Sequence, residues 1–106
     1  MAYLNPRIKA SLQDISVVLN YGPLGFVRAV TERIGRNQMQ VNTGSITLNH
    51  NAEVEIVISI PGMEHSEHHR ITAQVSHCDE SGHSILSFRC CGKKTMLALQ
   101  PYFTLH

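Results

Sequence analysis

A chain of 106 residues and 11.8 kDa has room for one domain and one modest core, and its 42% hydrophobic content is enough to fill that core. Its formal net charge is +1 and only 16% of its residues are charged, so no strong overall field draws it to nucleic acid or anionic lipid. No apolar run approaches the ~20 residues that cross a bilayer, and Met1 to Arg7 lacks the apolar core of a secretory signal, so the expected location is the cytoplasm.

In chain order, strand signals dominate. Ile15 to Leu19 is apolar and β-branched, and Asn20-Tyr21-Gly22-Pro23 marks a turn after it. The preceding Asp14-Ile15-Ser16 looks like a capping or turn signature, but it leads straight into this strand and is read as local structure only. Gly25 to Val30 is a second apolar run, and Gly35-Arg36-Asn37 supplies the next turn. Gln38 to Asn42 alternates, with Met39 and Val41 on one side. The clearest element is Glu53 to Ile60, where Val54, Ile56, Ile58 and Ile60 share one face and Glu53, Glu55 and Ser59 the other. A period of two is the mark of a half-buried strand. Pro61-Gly62 ends it, and the polar stretch Met63 to His69 reads as a loop. Arg70 to His77 alternates again, with Ile71, Ala73 and Val75 inward. Asp79-Glu80-Ser81-Gly82 is a hairpin turn with a late glycine, and Ser84 to Cys90 is the last strand, with Leu86 and Phe88 on one face. From Lys93 the period changes: Met96, Leu99 and Phe103 fall at helical spacing. Pro101 limits the helix to about two turns, which would lid one end of the sheet. The expected fold is therefore all-β and mostly antiparallel, six strands and one short carboxy-terminal helix, closed into a barrel because closure removes exposed strand edges.

Three groups of side chains could carry chemistry. Five of the seven histidines fall near one hairpin, and His65, His68, His69 and His77, with Cys78 beside them, are the residue types that hold zinc. No pair has a finger spacing, so a small metal-binding barrel is the alternative reading and a solvated loop the simpler one. Clustered imidazoles would also act as a switch near pH 6. The thiols Cys78, Cys90 and Cys91 and the scattered carboxylates form no nucleophile–base pattern, and the odd cysteine count with an adjacent pair does not read as a disulfide framework. No catalysis is expected. Among the cations, Arg28, Arg33 and Arg36 lie within nine residues, and Arg7 and Lys9 near the amino end. Guanidinium forks suit phosphate oxygens, so Arg7, Arg33 and Arg36 would form an anion site if the amino-terminal segment folds back beside the second turn. With aromatic residues at 6%, no stacking platform for an oligonucleotide is present.

The order of these elements resembles the PilZ domain, a bacterial six-stranded barrel with a carboxy-terminal helix. The likeness runs from about Tyr3 to Phe103. It is carried by Pro6-Arg7 before the first strand, by Arg33 to Val41 where the family has an Asp-x-Ser-x-x-Gly turn and a strand, by Leu48 to Ile60, and by Ile71 to His77 with Ile85-Leu86-Ser87-Phe88 as the final hairpin. The resemblance implies a module of cyclic di-GMP signalling whose ligand would meet Arg7, Arg33, Arg36 and Asn37. The family's ligand motifs are altered here: Tyr3 stands for the first arginine, Arg33 for aspartate, Gly35 for serine and Gln38 for glycine. Members with altered motifs act as adaptors through protein contacts, notably around type IV pili and motility. No cofactor is implied beyond cyclic di-GMP as ligand.

Overall fold

The computed structural model describes residues 11–22, 24–61 and 67–104. Six strands close into an antiparallel barrel. They are β1 (Ser16–Tyr21), β2 (Gly25–Ile34), β3 (Gln38–Asn42), β4 (Glu53–Ile60), β5 (Glu67–Cys78) and β6 (His83–Cys90), in the order β1-β2-β3-β6-β5-β4 around the wall. The helix α1 (Lys93–Leu99) and a 3-10 turn (Gln100–Tyr102) follow. The expected all-β barrel with a short terminal helix is thus the observed fold. No helix among the described residues is long and apolar enough to cross a membrane.

Alternation builds the core. Val17, Leu19 and Tyr21 of β1, Met39 and Val41 of β3, and Val54, Ile56, Ile58 and Ile60 of β4 all point inward and are buried. Ile71, Ala73 and Val75 complete the same face on β5, and Leu86 on β6. Phe88 is only half-buried, packed at the margin of the cluster.

Two strands differ from their expected bounds. β2 runs on to Ile34 rather than ending near Val30. Its first half pairs with β1 and its second half with β3. The register shifts between Thr31 and Arg33, so Glu32 is an extra residue in the strand, and this bulge hides the period of two from sequence. β5 begins at Glu67, which corrects the loop reading of Met63 to His69 for Glu67 to His69; Met63 to Ser66 lie outside the described residues. Glu67, His68 and His69 pair with Ile60, Ser59 and Ile58. Polar side chains concealed them, because two of the three face solvent and the third is a buried histidine.

Each end of the barrel is plugged. At one end the connection from Thr43 to Ala52 folds over the opening and buries Leu48. The Tyr21 hydroxyl accepts from the Asn49 amide at 3.2 Å, and the Asn51 amide donates to the Val75 carbonyl at 2.7 Å. Nearby, Gly82 has φ +85°, and a β-carbon there would collide with the Gly44 backbone. The other end is covered by α1 and its 3-10 turn, as expected, through Leu99 and Tyr102. Phe103 is half-buried against the same cluster, and Met96 is half-buried on α1. The Thr104 amide donates to the Ile34 carbonyl at 2.8 Å, and its hydroxyl accepts from the Ile34 amide at 3.0 Å, which fastens the chain end to the end of β2.

Candidate ligand site

The turn between β2 and β3 is held from three sides. Gly35 donates its amide to the Gln38 carbonyl at 2.8 Å, closing the hairpin. The Phe88 amide of β6 donates to the Asn37 carbonyl at 2.8 Å, and the Thr104 bonds fix Ile34. Ile34 and Gly35 are buried, so Arg33, Arg36 and Asn37 are thrown outward on a rigid corner. All three are exposed. Among the described residues no carboxylate pairs with Arg33 or Arg36, which leaves both guanidiniums open to an anion. Arg7, the fourth residue of the expected set, lies outside the described residues.

A concave feature lies elsewhere on the wall. Residues 12–13 and 15–18, 28–31 of β2, and 42–44 enclose a groove of about 830 Å3. Sequence reading did not point to it, because it forms where β2 leaves β1 for β3, and the bulge that allows this has no periodic signature. Thr31 lines the groove, and its hydroxyl is a buried polar atom without a hydrogen-bond partner among the described residues.

Close to this groove, Glu32 makes a polar cluster on the outer face. Its Oε1 lies 2.9 Å from His83 Nδ1 and accepts from Gln40 Nε2 at 3.2 Å. Asn42 Nδ2 stands 3.5 Å from the same imidazole nitrogen. The hydrogen bond to Glu32, its charge, and the charge of Asp79 raise the His83 pKa above the ordinary 6.5 against a smaller opposing effect of burial.

The other histidines are spread out. His68 faces solvent and its Nδ1 lies 2.8 Å from Ser59 Oγ. His69 faces the core; its Nδ1 is 2.9 Å from Thr95 Oγ1 and its Nε2 is 3.3 Å from Glu67 Oε2. Adjacent strand residues point to opposite faces, so these two rings cannot share an ion from one side. His77 is nine residues from His68 along β5, roughly 30 Å at a strand's rise of about 3.3 Å per residue. Cys78 is half-buried and its sulfur accepts from the Ser84 hydroxyl at 3.2 Å. His65 lies outside the described residues. Among the described residues no three of His, Cys, Asp and Glu are grouped as metal ligands. The structure thus assembles Arg33, Arg36 and Asn37 at one corner and separates His68, His69, His77 and Cys78. Compared with known proteins, the chain matches no family model and no curated sequence.

Proposed function

We propose that this chain is a PilZ-like, non-catalytic binding module in cyclic di-GMP signalling, acting as an effector or adaptor through contacts with a partner protein in the cytoplasm. Cyclic di-GMP is its candidate small ligand, met at the corner of Arg33, Arg36 and Asn37. The observation that supports this most is the exposed pair of arginines on a turn locked by backbone hydrogen bonds to β6 and to the chain end. A corner fixed in this way gives up little entropy on binding, and two guanidinium forks suit the two phosphates of the cyclic dinucleotide. The altered motif has a cost. With Arg33 where the family has aspartate, a guanine edge loses its acceptor, and an unmet contact of that kind costs on the order of 1–3 kcal/mol.

Calorimetric titration with cyclic di-GMP separates the two modes. Saturable binding that Arg36→Ala weakens about tenfold, equivalent to ~1.4 kcal/mol, supports the effector mode. A dissociation constant above ~100 μM that neither Arg33→Ala nor Arg36→Ala changes removes the nucleotide and leaves adaptor action alone.

A further inference from the structure

Four large hydrophobic side chains stand exposed among the described residues, and three of them lie on one hairpin: Leu24 at 57%, Phe26 at 72% and Val30 at 69%. Single exposed apolar residues are ordinary on a soluble protein, whereas a group on one face marks a contact surface. Phe26, Arg28 and Val30 alternate along β2 on the outward face. Arg28 stands opposite Val18 of β1, and Val18 stands opposite Val57 of β4, so the apolar face spans three strands. Arg28 sits in the middle of it. No carboxylate among the described residues lies within ion-pair distance of Arg28, although Glu32, Glu55 and Glu67 each have a cation or imidazole partner.

The same face is concave. Val18, Arg28 and Val30 line the groove of about 830 Å3, together with Leu12, Ser16 and Asn42. That size lies within the range of sites for compact ligands, about 300–1,000 Å3. Arg28, without a carboxylate partner in an apolar groove of this size, suits a short segment that brings its own acidic residue. Because the barrel is closed, such a segment has no free edge to extend by strand pairing and is read through side chains.

We infer that the groove over Val18, Arg28 and Val30 docks a short segment of a partner protein in which an acidic residue is flanked by apolar ones. The carboxylate meets Arg28, and the flanking side chains cover Val18, Val30 and Phe26. This names the surface and the partner chemistry of the adaptor mode and rests on reading the chain as a binding module.

The test is an NMR titration of the whole chain with N-acetyl-leucyl-glutamyl-leucinamide, and with its lysyl counterpart as control. The expected result is saturable amide shifts confined to Val18, Arg28, Val30 and their neighbours, at least tenfold weaker for the lysyl peptide. Arg28→Glu, an exposed change, is expected to abolish the response to the glutamyl peptide, whereas Arg36→Ala leaves it intact. Equal shifts with both peptides, shifts elsewhere on the barrel, or an unchanged response in Arg28→Glu overturn the inference. So does concentration-dependent self-association through the same amides, which makes a second copy the occupant, or their response to phosphatidylglycerol vesicles alone, which makes it a membrane. The Arg36 titration with cyclic di-GMP reads a different corner, so either proposal can fail while the other stands.

Discussion

Glu32 owes its reach to the bulge that sets it outside the β2–β3 register. From there its carboxylate spans β3 to meet His83 on β6, with Gln40 donating to the same oxygen. The charged groups bearing on the imidazole are Glu32 and Asp79, and both favour its protonated form. The folded pKa of His83 is therefore raised, and the stabilisation it gives is complete below the ordinary histidine value of 6.5. It fades as pH rises through the higher folded value, where the ring loses its proton. Thermal unfolding of the wild type and Glu32→Gln checks the sign. The wild type should be the more stable by a margin largest near pH 6 and shrinking toward pH 9, and the His83 ring should titrate lower in the variant when followed by NMR. A margin that widens with pH would show that the neutral ring is the favoured partner.

At the scale of the element, legibility followed periodicity. β4 was readable because four of its inward residues are Val or Ile at spacing two, and the residues between are polar apart from Val57. α1 was readable because Leu99 sits at helical spacing from Met96 and Pro101 stops the run. The first residues of β5 and the last of β2 were not: the bulge at Glu32 breaks the period of β2, and an inward position of β5 carries polar atoms that find partners only in the folded barrel. His69 is such a case. Its Nε2 lies 3.3 Å from the Glu67 carboxylate and its Nδ1 2.9 Å from the Thr95 hydroxyl of α1, across 26 residues of sequence. Leu48 was hidden for another reason, since it plugs an end from a connection with no period at all. The site divides in the same way. The exposed corner of Arg33, Arg36 and Asn37 was legible from its turn residues, while the groove depends on a change of strand partner that no local pattern encodes. The His69–Thr95 bond gives this a measurable form. Thr95→Val keeps the shape and leaves Nδ1 unmet, at a cost of about 1–3 kcal/mol in urea unfolding. Thr95→Ser should recover most of it. A Thr95→Val variant as stable as the wild type, with the loss confined to Thr95→Ser, would assign the effect to packing of the methyl group and not to the hydrogen bond.

For the whole molecule, closure of the sheet removes lateral edges and leaves only the two open ends of the wall to be covered. One plug, at Leu48, lies between β3 and β4 and is formed with the wall itself. The other lies after the last strand, so all six strands precede it in the chain. That plug does two jobs. Leu99 and Tyr102 cover core side chains at the end where β2 finishes and β5 begins, and Thr104 adds a pair of backbone-directed bonds to Ile34. The second job bears on function, because Ile34 anchors the corner that carries Arg33 and Arg36. Ending the chain after Gly92 separates the two jobs from the folding of the wall. Leu99 is fully buried, and uncovering the surface beneath it and Tyr102 removes several kcal/mol of hydrophobic stabilisation at about 25 cal/mol per Å2, a large share of the 5–15 kcal/mol a small domain holds. The shortened chain should therefore bind the dye ANS, lose cooperative urea unfolding, and show hydrogen exchange at the Arg33–Gln38 turn faster than in the intact protein. Restoring cooperativity with the separate peptide of residues 93–106 would show that the wall is formed without the plug and is only locked by it. A shortened chain that unfolds cooperatively with unchanged exchange at that turn would contradict both roles of the helix, and the corner would then owe its rigidity to the Gly35–Gln38 and Phe88–Asn37 bonds.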